Sequence, residues 1–335
     1  MRDDDDLWFL PGPPEDVAPT DIPLPVADRR VLFEPRDWLR AEVTQSRGLV
    51  RAAAAFARLD ARMNPRLIAG FSKRLGLVEV SAWLWAQGDW VEVEKIALYG
   101  LLRESSLHDA QILSTADWAI RRLQGAGVSD DLGAFLGRHK SGYDGLEDLG
   151  QHPVGIEFDG LVQDWQGVRA ALKDAHPITQ AAALFSAWRT FGLSEPGGVL
   201  EAGVAAAKVG ALGAKALRFL PVASGGALGQ GGEVKARLAR WYASVENACL
   251  RAEMQLDQLT AWLDRANITT KHLSGKTPPL LIKALLETPA LSAAMAAAIC
   301  GCDKATARRN LNAFAKLGLI REITGHGRYQ LWVVA

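Results

Sequence analysis

The chain has 335 residues, 49% hydrophobic and 23% charged, a composition that fits a folded globular protein and excludes a disordered or fibrous one. Its 38 basic and 38 acidic residues cancel, so attraction to a polyanion must come from a local excess of charge. Three cysteines (Cys249, Cys300, Cys302) are too few for a disulfide framework and fit a reducing cytoplasm.

The chain opens MRDDDD, with no basic region ahead of an apolar core, so no signal peptide is expected. Six prolines before residue 26 and a seventh at Pro35 argue against helix over residues 1–36. An extended arm is expected there, with Leu7-Trp8-Phe9-Leu10 able to pin it to the body or to a second subunit. From Asp37 to Met63, Trp38, Leu39, Val43, Val50, Ala54 and Leu59 recur at helical spacing. Asn64-Pro65 reads as a helix restart, and Gly76 and Gly88 as the punctuation of two short helices. Residues 92–103 and 115–123 continue the helical series, and another helix should end near Gly137. Residues 139–160 hold five glycines and five carboxylates and read as a loop. Helix resumes at 161–175 and again from Pro177 to Phe191.

The Ala/Gly-rich stretch from Gly197 to Leu217 reads as a closely packed helix. Glu201, Lys208, Lys215 and Arg218 interrupt the apolar run of Val199–Leu220, so no membrane span is expected. Ser224–Gly232 reads as a flexible connection. Its glycines do not make a phosphate loop, because Gly232-Glu233 stands where Lys-Ser/Thr is needed. Residues 233–267 form the longest clean helical pattern, with Leu238, Trp241, Val245, Cys249, Leu256, Leu259 and Leu263 as its stripe. Burial within its own domain is the preferred reading of that stripe; a dimer seam is the other.

The last sixty residues differ in charge. Residues 276–335 carry eight basic and three acidic side chains, a net of +5 that leaves −5 on the rest. Their pattern is a helix from Leu281, a short helix from Ser292, a Cys300-Gly301-Cys302 turn, a helix from Asp303 to about Leu317, and strands at 319–323 and 329–333. That order is a winged helix-turn-helix. Gly301 supplies the positive φ of the turn, and Asp303 the N-cap. Ala307, Leu311, Phe314 and Leu317 share one face of the second helix. Lys304, Ala305, Arg308, Arg309, Asn312 and Lys316 share the other. Arginine and asparagine can pair bidentately with guanine and adenine, and lysine meets phosphate. The predicted DNA-contacting set is Lys304, Thr306, Arg308, Arg309, Asn312 and Lys316, with His326 and Arg328 in the wing. The competing reading is a winged helix that binds protein or only packs.

Other candidates weigh less. Cys300-x-Cys302 lacks metal-site spacing and a second ligand pair, so no metal and no cofactor are expected. His152-Pro153 and His176-Pro177 lie beside carboxylates and could hold a general base, although surface or capping histidines are the ordinary case. Trp83, Trp85 and Trp90 cluster around Gly88, as a ligand pocket or as core.

Residues 79–98 (EVSAWLWAQGDWVEVEKIAL), Leu107-His108-Asp109-Ala110, Gly301–Leu311 and Gly318–Gly325 resemble a family of alphaproteobacterial, often rhizobial plasmid-encoded proteins. In that family a helical body precedes a helix-turn-helix domain. More remotely, the architecture resembles Fic-type proteins, whose His-Pro-Phe motif continues into Gly-Asn-Gly-Arg. Both His-Pro sites here lack that anion cradle, and the family's inhibitory Glu-Gly pair would fall at Gln87-Gly88. The resemblance therefore implies a body without that nucleotidyl-transfer chemistry.

The expected fold is mainly α. It comprises an extended arm (1–36), a multi-helix body (37–232), a long connector or dimer helix (233–275) and a C-terminal winged helix-turn-helix with a short hairpin wing (276–335). The expected function is sequence-specific binding of double-stranded DNA by a cytoplasmic, homodimeric transcriptional regulator, open to an effector or protein partner, with no membrane and no catalysis. The alternatives are a Fic-like enzyme or pseudo-enzyme with a regulatory winged helix, and an assembly protein.

Overall fold

The computed structural model describes residues 32–102, 109–125, 127–128, 131–137, 153, 155–195, 197–226, 231–325 and 330–335. It is mainly helical, with one small antiparallel sheet near the C-terminus. Of the expected arm only residues 32–36 are described, and Pro35 and Arg36 already belong to helix, because proline is tolerated in a first turn; His152 and most of the glycine- and carboxylate-rich segment lie outside the described residues.

Helix α1 (Pro35–Thr44) begins at Glu34, whose Oε1 accepts the Arg36 amide at 3.1 Å. The helical pattern seen from Asp37 to Met63 is broken once, at Gln45, and resumes as α2 (Ser46–Ala61). Asn64 Oδ1 accepts the Arg66 amide at 2.8 Å, and the turn it starts runs into α3 (Ile68–Gln87). Gly76 lies inside α3 rather than at a boundary. The reason is proximity: a Cβ there would sit 3.1 Å from Gln124 Nε2. Gly88 does end the helix, in the left-handed conformation (φ 103°).

Helices α4 (Val93–Leu102), α5 (Ala110–Gln124), α6 (Leu132–Leu136), α7 (Gly155–Ala171), α8 (Pro177–Phe191) and α9 (Leu200–Gly210) follow. Helix α7 corrects the loop expected over 139–160, because residues 155–160 are helical. Phe158, Trp165 and Val168 recur at helical spacing and are buried, and that periodicity outweighs the local glycines. On α9 the small residues are used for contact. A Cβ at Gly203 would stand 2.4 Å from the Trp83 ring, and one at Gly210 2.5 Å from Leu220. Trp83 is thus core, whereas Trp85 and Trp90 lie at the surface with ring centroids 5.0 Å apart.

Helix α10 (Val234–Thr269) runs beside α2, and its stripe is buried within the chain. Arg51 and Arg58 of α2 and Arg62 at its C-terminal cap pair with Glu246, Glu253 and Asp257 of α10. Each pair is separated by the same 195 residues, so the two helices are parallel. Between the rows of charge, Ala52, Phe56 and Leu59 face the Tyr242, Val245, Cys249, Ala252 and Leu256 stripe, all buried. The exposed ion pairs set register; the apolar seam supplies most of the energy.

Two buried charged groups hold distant backbone. The Glu79 carboxylate on α3 accepts the amides of Val222 (2.9 Å), Ala223 (2.7 Å) and Ser224 (3.1 Å), and the Ser224 hydroxyl. The expected flexible connection at 224–232 therefore starts as a buried 3-10 turn, Ala223–Gly225. Gly225 is required there, since a Cβ would lie 1.7 Å from the Ser244 carbonyl oxygen. Burial pushes the Glu79 carboxyl above the ordinary range, and its four donors oppose that shift. Lys208 Nζ donates to the Leu123 (3.1 Å) and Gly125 (2.8 Å) carbonyls, and Arg218 to that of Gln124 (3.1 Å), closing the C-terminus of α5.

The C-terminal unit comprises α11 (Thr277–Glu287), β1 (Leu291–Ser292), α12 (Ala293–Cys300), α13 (Lys304–Lys316), β2 (Ile320–Glu322) and β3 (Leu331–Val334). The helix expected from Leu281 starts earlier: Thr277, Pro278 and Pro279 form the first turn of α11, a position that proline tolerates. The sheet order is β1-β3-β2, antiparallel throughout, with Leu291 opposite Trp332 and Arg321 opposite Val333. Strand β1 was not visible in the sequence; two residues carry no period.

Glu79→Gln leaves donors at Ser224 facing an amide, and should cost about 2–3 kcal/mol in urea unfolding. An unchanged midpoint would contradict the staple. Lys208 gives a pH test. Burial, with Arg218 adding, pushes its pKa from 10.5 down to about 8. Between those values the unfolded chain binds more protons than the folded one, so stability rises with pH across that window. Compared with Lys208→Met, the wild type should gain up to about 1.4 kcal/mol per pH unit there. Parallel stability curves for the two proteins would count against it.

Candidate nucleic-acid interface

The second helix of the C-terminal pair, α13, is set up by its own sequence. Asp303 is its N-cap: Oδ1 accepts the Thr306 amide at 2.8 Å and Oδ2 accepts the Thr306 hydroxyl at 2.7 Å. Those donors hold the Asp303 carboxyl below the usual range. Gly301 ends α12 in the left-handed region (φ 59°), as the turn requires. Ser292 caps α12 by accepting the Met295 amide at 3.2 Å.

Ala307, Leu311 and Phe314 are buried against α11 and α12, and Leu317 is half-buried. Lys304, Arg308, Arg309, Asn312 and Lys316 are exposed on the other side. None of these four cations has a carboxylate partner among the described residues. Five of the eight predicted residues are thus brought together on one open face. Thr306 is different: it is half-buried and its hydroxyl is spent on the cap, so its role is to start the helix. His326 and Arg328 lie outside the described residues.

Sequence reasoning missed Gln330. Its Oε1 accepts from Arg308 at 3.1 Å, so the start of the last strand steadies one guanidinium of α13. The contact spans 22 residues and left no local signal. At the other end of the hairpin, Glu322 accepts the amides of Thr324 (2.7 Å) and Gly325 (3.1 Å) and the Thr324 hydroxyl, and Gly325 takes φ 65°.

The unit is seated on the body. The half-buried Arg74 side chain of α3 donates to the carbonyls of Leu285 (2.6 Å), Leu286 (2.8 Å) and Thr288 (2.8 Å), the open C-terminal end of α11. Burial lowers its pKa to about 10, so it stays charged at neutral pH. Gly70 makes the approach possible, since a Cβ would fall 1.5 Å from the Leu286 oxygen. Trp262 Nε1 of α10 donates to the Leu319 carbonyl at 2.6 Å, and Arg265 to that of Ala335 at 2.7 Å. Arg321 of β2 faces Glu94 of α4 at 3.5 Å. The long helix therefore holds the C-terminal unit against the body.

The remaining candidates are placed as follows. His176 is the N-cap of α8: its Nδ1 accepts the Ile178 amide at 3.2 Å. Cys300 is buried, which raises its thiol pKa, and Cys302 is half-buried. Among the described residues no cluster of three histidine, cysteine or acidic side chains could hold a metal ion, and no helix is long and apolar enough to cross a membrane. The chain matches no known protein-family model and no curated protein sequence.

Gly70→Ala should force α3 and α11 apart. Hydrogen exchange is expected to quicken in the last turn of α11 while the α2 amides stay protected; equal protection in both proteins would deny the clamp its role.

Proposed function

We propose that this chain is a sequence-specific double-stranded-DNA-binding protein, a transcriptional regulator that reads the major groove with α13. One observation carries the reading: Lys304, Arg308, Arg309, Asn312 and Lys316 share an exposed helix face with no acidic partner among the described residues, over a buried apolar face. A positive helix of that kind, with a hairpin beside it, fits a polyanionic groove. Binding rather than catalysis is the activity proposed. A homodimer would suit a two-fold operator, but the α10 stripe is covered by the chain's own α1, α2, the 223–225 turn and the C-terminal unit, so the dimer surface must lie elsewhere.

Sequencing the DNA recovered with the tagged protein from its own cells would yield the site. On that site, anisotropy titrations should show affinity falling steeply with salt. Arg308→Ala and Arg309→Ala should each weaken binding by about 5- to 150-fold and flatten the salt dependence. No enriched DNA, salt-insensitive binding, or an unaffected double variant would each overturn the proposal.

A further inference from the structure

A cleft of about 750 Å³ opens in the body, between the end of α2, the start of α8 and the 211–216 segment after α9. That volume is in the range of small-molecule sites. Its walls are largely apolar, with Phe56 and Met63 on one side and the half-exposed Leu212 on the other. Three ionisable side chains line it.

Asp60 is already engaged. Its Oδ1 accepts the amides of Ala216 (2.9 Å) and Leu217 (2.7 Å), and its Oδ2 that of Lys215 (2.8 Å). These bonds fold the 215–217 segment over the cleft and engage both carboxylate oxygens. His176 is engaged on one side only. Its Nδ1 accepts the Ile178 amide, which places the neutral ring's proton on Nε2. Among the described residues Nε2 has no hydrogen-bond partner. Burial lowers the His176 pKa, with Glu42 opposing, so the neutral donor form prevails at neutral pH. The Lys215 side chain is exposed, and its ammonium has no carboxylate partner among the described residues. The cleft thus offers an apolar wall, one ring N–H donor and one cation.

We propose that this cleft binds a small amphipathic carboxylate. Its hydrocarbon part lies on Phe56, Met63 and Leu212, and its carboxylate meets the His176 Nε2–H and the Lys215 ammonium. A neutral alcohol of the same shape would fill the apolar wall and leave the cation unanswered. The site stands apart from α13 and does not depend on DNA binding.

Isothermal titration calorimetry on the full chain tests it, with octanoate and 2-naphthoate as probes and 1-octanol and 2-naphthol as their uncharged matches. At least one acid should bind saturably at one site per chain, about tenfold tighter than its alcohol. His176→Asn keeps a capping acceptor for Ile178 but loses the ring donor, and Lys215→Met removes the cation. Each should weaken the acid about fivefold or more while thermal unfolding stays cooperative. The proposal fails if neither acid binds up to millimolar concentrations, if acid and alcohol bind alike, or if both variants bind the acid as the wild type does. An Arg308→Ala, Arg309→Ala variant should bind the acid unchanged, which separates this result from the DNA reading.

Discussion

The apolar stripe of α10 has to be covered, and α2 covers it. Most of the stability of a 36-residue amphipathic helix in a folded protein comes from the face it buries. Parallel pairing with α2 supplies that face, and three charge pairs at a constant 195-residue offset mark the register. The rest of the fold is placed relative to this seam. The 3-10 turn at Ala223–Gly225 closes on α10 at Ser244, α1 and α8 lie against it, and its last turns meet the C-terminal unit through Trp262 and Arg265.

The body is closed by side chains that serve distant backbone. Glu79, Asp60, Lys208 and Arg74 each satisfy amides or carbonyls of a segment far away in sequence. Burying an ionised group, as at Glu79 and Lys208, is costly, and the cost is offset because each meets several partners at once. Glycines mark the same places. Gly70 and Gly225 are the points where another segment's carbonyl comes closer than any side chain allows.

This arrangement bears on the C-terminal unit. Arg74 and Trp262 tie it to α3 and α10, so its exposed cationic face has a set direction relative to the body. The cleft beside His176 lies where α2 ends, on the helix that also lines the α10 seam.

Local information was enough for much of this. Pro177 and Gly192 bracket α8, Asp303 and Gly301 bracket the turn into α13, and the division of α13 into apolar and cationic faces follows from spacing alone. These features depend on caps and on a 3.6-residue period, which a sequence displays directly. Other features were hidden. Gly76 resembled a helix end and is a packing contact, the glycines at 155–160 resembled a loop and are helical, and Ser224 resembled a linker and is held by Glu79. The α11 partners of Arg74 and the partners of Glu79 and Arg308 lie 22 to 214 residues away, so no window along the chain contains both halves of the interaction. The sequence by itself determined most of the helical segments, α8, α10 and α13 among them, and which face of α13 is charged. Only the tertiary structure decided that α10's stripe is used within the chain, where the C-terminal unit sits, and that Asp60, His176 and Lys215 share one cleft, because each depends on backbone brought together from separate elements.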